Sequence, residues 1–177
     1  MEPSWYDRIA DPTFLHDLAT RPMPELRAMR SACGQIEAQL SFARRLVQGR
    51  LDIVEAERVR RSKGLPASNL AELVAALPAM MAGKLQSTGN VYRSRDVGDH
   101  EDPALEIRLD QILDAGSLAA LPLSTDAQLA VVADRLGAFE RQVSAQRRLA
   151  LAAFDTLSGE VIRRFRDGEV SVDSVLN

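Results

Sequence analysis

A chain of 177 residues with 46% hydrophobic and 27% charged side chains has the size and composition of one globular or coiled-coil domain. Its net charge of −3 and pI of about 5.5 give a field that repels polyanions, which disfavours general nucleic-acid binding. The lone Cys33 excludes an internal disulfide, and with no apolar leader near Met1 and no apolar run approaching about 18 residues the chain is expected in the cytoplasm with no membrane span.

Residues 1–23 hold Pro3, Pro12 and Pro22 among unperiodic Trp5, Tyr6, Phe14 and Leu15, and are expected as an N-terminal arm. Trp5 and Tyr6 in it suit either a partner anchor or a loose terminus. Pro24 suits a first helical turn. From there Leu26, Met29, Cys33, Ile36, Leu40, Ala43, Val47 and Val54 recur in steps of three and four, interrupted at Arg50, so the spacing predicts a long helix over 24–63 with a coiled-coil seam. Gly64 and Pro66 are its stop signals. The connector 65–123 is broken: a short helix from Ser68 or Asn69 to Met81, another over Pro103 to Asp114, and between them a polar loop, "GKLQSTGNVYRSRDVGDHED". Ser124, Thr125 and Asp126 are all good N-caps for a second long helix over 124–167. Its seam is Leu129, Val132, Leu136, Phe139, Val143, Ala150, Ala153 and Leu157, and a tail follows over 168–177. Two such helices bury their seams by folding back on one another. The expected fold is all-α, a single-domain antiparallel two-helix coiled-coil hairpin with short connecting helices.

The first long helix carries a second pattern. Glu37, Ser41, Arg44, Gln48 and Asp52 fall within an arc of roughly 80° at about 100° per residue, on the shoulder of the apolar seam. A solvated helix face would place Glu four residues before Lys or Arg, whereas here Glu37 precedes Ser41 and Arg44 precedes Gln48. Helix stabilisation therefore does not account for the choice of residues.

The pattern also repeats. A shift of 103 positions lays residues 37–61 over 140–164 with 10 identities in 25 positions. Four stripe residues recur as Glu140, Ser144, Arg147 and Asp155, and Leu151 replaces Gln48. An antiparallel hairpin bearing one copy on each arm has an approximate two-fold axis, which suits a two-fold ligand. Arginine forks fit guanine O6 and N7 or phosphate, carboxylates accept from guanine N1 and N2, and serine donates to phosphate oxygens. Guanine with phosphate, presented twice, is cyclic di-GMP.

The spacing Glu-x3-Ser-x2-Arg-x3-Gln-x3-Asp on both helices resembles the signature of the RsiG family, actinobacterial anti-sigma factors controlled by cyclic di-GMP. The first copy matches at all five positions and the second at four. The terminal "RRFRDGEVSVDSVLN" is similar to that family too. The resemblance implies a non-enzymatic protein that binds a cyclic di-GMP dimer, two ligands per chain, with no other cofactor and no metal. So loaded, it would sequester the flagellar-type sigma factor WhiG in a 1:1 complex as a monomeric hairpin, silencing sporulation genes. Arg45, Arg148 and Leu151 are further candidate contacts to ligand or partner.

Competing readings are weaker. A ligand-free coiled-coil adaptor predicts no nucleotide binding and tolerance of Arg44→Lys. Direct DNA binding through "RVRRSK" (58–63) and "RRFR" (163–166) is disfavoured, because cations at helix C-termini complement the helix dipole. His16 and His100 stand alone, "DHED" (99–102) reads as a solvated loop, and Cys33 reads as a small buried residue, so no catalytic set is apparent.

Overall fold

The computed structural model describes residues 5–66 and 103–168, and among these it is all-α. Helix α1 (Trp5–Ala10) leads through a 3-10 turn (Leu18–Thr20) into the long helix α2 (Met23–Ser62). Helices α3 (Pro103–Ile112) and α4 (Ala115–Ala119) lead through a second 3-10 turn (Leu121–Leu123) into the long helix α5 (Asp126–Arg166). The expected short helix ending at Met81, and the polar loop after it, lie outside the described residues.

Local chemistry sets the ends of the long helices. The Thr125 hydroxyl accepts from the Gln128 amide N–H at 3.2 Å while the Gln128 side chain accepts from the Thr125 N–H at 2.7 Å, a reciprocal cap that starts α5. At the end of α2, Gly64 takes φ +68°, and the Gly64 and Leu65 N–H groups return to the carbonyls of Arg61 and Arg60 at 2.9 and 3.2 Å. Only glycine adopts that backbone without strain, and the two bonds satisfy carbonyls that the helix leaves open. Gly168, at φ +74°, follows the last turn of α5 in the same way.

The chain divides into two compact units, Met1–Ser41 with Ser144–Asn177, and Phe42–Val143. The first unit packs the N-terminal half of α2 antiparallel to the C-terminal half of α5 around Phe14, Met23, Leu26, Met29, Cys33, Ala153, Leu157 and Val161. The second unit pairs the other two halves, with buried Val47, Val54, Leu129, Leu136, Phe139 and Val143 and with Leu105, Leu109 and Leu113 from the α3 segment. All eight predicted seam positions of α2 are buried, and seven of eight in α5; Ala133 is buried where Val132 was expected.

One expectation changes, and one irregularity finds its reason. Residues 1–23 are not a free arm along their described part, because Phe14 and Met23 lie in the core of the first unit and Ile9, Leu15 and Leu18 pack against it. These apolar side chains reach the core from the short helix α1 (Ile9), a turn (Phe14, Leu15), a 3-10 segment (Leu18) and the first residue of α2 (Met23), so they share no single helical period. Arg50, which interrupts the seam, is where α3 docks: its guanidinium donates to the Leu113 carbonyl and pairs with Asp110 at 2.8 Å.

The two 3-10 turns stand 103 residues apart, the same shift that aligns the polar stripes. Among the described residues each unit thus has a similar plan: short helix (one in the first unit, two in the second), a 3-10 turn, the start of one long helix and the end of the other.

Candidate functional site

Each unit holds part of both stripe copies. In the first, Glu37 Oε1 accepts from the Ser41 hydroxyl at 2.7 Å and from Arg147 Nε at 2.8 Å. Arg147 Nε also donates to Ser41 Oγ at 2.7 Å, so serine, glutamate and arginine form a closed triangle across the two helices. In the second unit, Glu140 Oε1 accepts from Arg44 Nε at 3.0 Å and from Gln48 Nε2 at 3.2 Å.

These are reciprocal arrangements. The glutamate of the first copy holds the arginine of the second, and the glutamate of the second copy holds the arginine of the first. The side chains are half-buried, 24% and 28% exposed for Glu37 and Arg147, 20% and 37% for Glu140 and Arg44. Each pair is thus partly exposed to solvent.

The remaining stripe positions follow along the helices. Asp52 and Ser144 are half-buried, Asp155 is exposed, and Leu151 is 37% exposed. Gln48 adds a second donor to Glu140, whereas Leu151 has no polar atom to offer Glu37. The second copy is therefore chemically poorer at this one position. Arg45 and Arg148 are exposed beside their stripe arginines.

The basic helix ends, read from the sequence as complements to the helix dipole, have internal work. Glu57 is fully buried and pairs with Arg61 at 2.8 Å. Arg61 then donates to the carbonyls of Ser124, Leu121 and Pro122 at 2.6, 3.0 and 3.1 Å, clasping the turn that leads into α5. One repeat later, Arg164 pairs with Glu160 at 2.8 Å and donates to the Leu18 carbonyl at 2.6 Å in the turn that leads into α2. The repeat identities Glu57/Glu160 and Arg61/Arg164 were the signal for this clasp, but sequence spacing does not say which carbonyls an arginine will reach.

Among the described residues no group of His, Cys, Asp and Glu is arranged to hold a metal ion, and no helix is long and apolar enough to cross a membrane. His16 is exposed, and His100 with "DHED" lies outside the described residues.

Residues 12–80 match a family model described as RsiG-like. The matched span is 69 of the chain's 177 residues, and over that part the chain is similar to the RsiG family. It covers the first stripe copy entire; the second copy, at 140–155, extends the RsiG-like pattern beyond the matched span. No curated protein matches the chain.

Proposed function

We propose that this RsiG-like chain binds cyclic di-GMP, near two molecules per chain, through Glu37, Ser41, Arg44, Gln48, Asp52, Glu140, Ser144, Arg147 and Asp155. In the loaded state it sequesters a flagellar or sporulation-type sigma factor, WhiG, and so represses transcription. The observation that carries this reading is the reciprocal pairing of Arg44 with Glu140 and Arg147 with Glu37. Guanidinium and carboxylate stand side by side twice, which is the donor and acceptor set that a guanine edge with its phosphate requires. Arg45 and Arg148 lie next in sequence and add charge against the four phosphates of a ligand dimer.

Titration calorimetry of cyclic di-GMP into the purified chain tests it. Uptake near two per chain is expected, with Arg44→Ala and Asp52→Ala abolishing uptake while circular dichroism keeps the helical signal. Unchanged uptake by both variants would sink the site. A second reading, a coiled-coil adaptor without small ligand, draws on the same ion pairs, since they tie the two long helices together within each unit. It expects no heat from cyclic di-GMP at any concentration, with or without the sigma factor.

A further inference from the structure

Arg108 and Arg135 form a second polar site that the stripe does not use. A groove of about 340 Å³ runs between α3 and α5 in the second unit, lined by Arg108, Gln111, Ile112, Arg135, Phe139 and Gln142. Arg108 donates to Gln142 Oε1 at 2.9 Å, and its guanidinium carbon stands 5.0 Å from the centre of the Phe139 ring. Arg135 donates to the Gln111 carbonyl at 3.3 Å. Neither has a carboxylate partner among the described residues, whereas Arg44, Arg50, Arg61, Arg147 and Arg164 all do.

The helix phases keep acids away from the groove. On α3, Glu106 and Asp110 project about 160° from Arg108, and Asp110 is taken by Arg50. On α5, Arg135, Phe139 and Gln142 share an arc of roughly 60° centred about 130° away from Glu140. The groove therefore faces away from the stripe residue of the same helix, and its occupant need not compete with a ligand there.

We infer that this groove is a docking site for an acidic segment of the captured protein partner. Two guanidiniums held by neutral groups supply charge-assisted bonds to carboxylates, and two glutamine amides supply further donors. Phe139 is buried and, with the half-buried Ile112, gives an apolar floor that the methylenes of an acidic side chain cover and a bare phosphate does not. Charge complementarity selects such a partner segment over a nucleic acid, because the chain as a whole is negative and the positive field here is local. This inference rests on the anti-sigma reading for the identity of the partner.

The test uses the full chain carrying R108E/R135E and, as a milder pair, R108Q/R135Q, each checked for helicity and for cyclic di-GMP uptake before binding to the sigma factor is measured with the nucleotide present. The expected result is wild-type nucleotide uptake, a loss of sigma affinity of at least tenfold for charge reversal, a smaller loss for the glutamine pair, and a weaker salt dependence in both. Sigma binding at wild-type strength in both pairs overturns the groove and leaves the anti-sigma reading standing. Loss of one equivalent of cyclic di-GMP in R108Q/R135Q assigns the groove to nucleotide and overturns the inference as well. A wild-type chain that binds neither nucleotide nor sigma overturns the anti-sigma reading and the inference together.

Discussion

Glu160 accepts from Arg163 on both carboxylate oxygens, at 2.9 and 3.0 Å, and from Arg164 at 2.8 Å. These two guanidiniums hold its carboxyl down from 4.5 to about 2. A carboxylate whose folded pKa is depressed contributes stability that is complete above its unfolded pKa and is lost as the proton returns. The melting temperature should accordingly fall as pH drops from 4.5 toward 2, and Glu160→Gln should flatten the dependence in that window, which calorimetric melts across pH would read. Cys33 shows the opposite environment: fully buried in the first unit, its thiol is pushed up to about 11 by burial. It stays protonated at neutral pH, so labelling by iodoacetamide should proceed only as fast as the core opens. A thiol that reacts at the rate of free cysteine would show that the seam is open at that point.

At the scale of elements, a three-and-four spacing was enough to place both long helices to within a residue or two, because a seam of Leu, Val and Ala has no other efficient way to leave water. The 3-10 turns and the packing of Phe14 were not legible, since single contacts made from a turn leave no period in the sequence. Nor were the clasps, in which a side chain satisfies carbonyls from a segment some 60 residues away or more. Removing a clasp exposes its worth: Arg61→Ala leaves the buried Glu57 without this partner and three carbonyls short of a donor, and should cost about 2 kcal/mol or more in urea unfolding. Arg61→Lys keeps the charge but not the fork, so it should recover only part of that loss. Equal stability of all three proteins would mean that water serves these carbonyls as well as the guanidinium does. The core should answer as packed cores do, with Leu136→Ala, at a fully buried seam position, costing about 2–5 kcal/mol.

Across the whole molecule, one plan appears twice, and the sequence announced it through the stripe before any element was placed. The residue types and helical phase of the stripe were legible because helix geometry fixes which side chains share a face. What faces the stripe was not, because the register between two helices is decided by packing along their full length, and only that register sets Glu37 against Arg147 and Arg44 against Glu140. If both copies bind, cyclic di-GMP should raise the melting temperature of the intact chain, since a ligand at a hundred times its dissociation constant adds about 2.7 kcal/mol per site. A thermal shift that saturates near two equivalents agrees with the site, and an unchanged melt at millimolar nucleotide would contradict it.

The crossed ion pairs also bear on what kind of reaction the proposed binding would be. An arginine already engaged by a glutamate behaves like a charged bead on an ion-exchange resin: any anion that enters must displace a counterion covalently fixed in place. A lone phosphate trades one ionic contact for another and leaves a carboxylate stranded beside it. A ligand that brings a hydrogen-bond donor for the released carboxylate together with an anion for the released arginine makes the exchange favourable at both ends. If the proposed ligand binds here, its selectivity should be set by the ion pairs that it breaks as much as by the contacts that it makes.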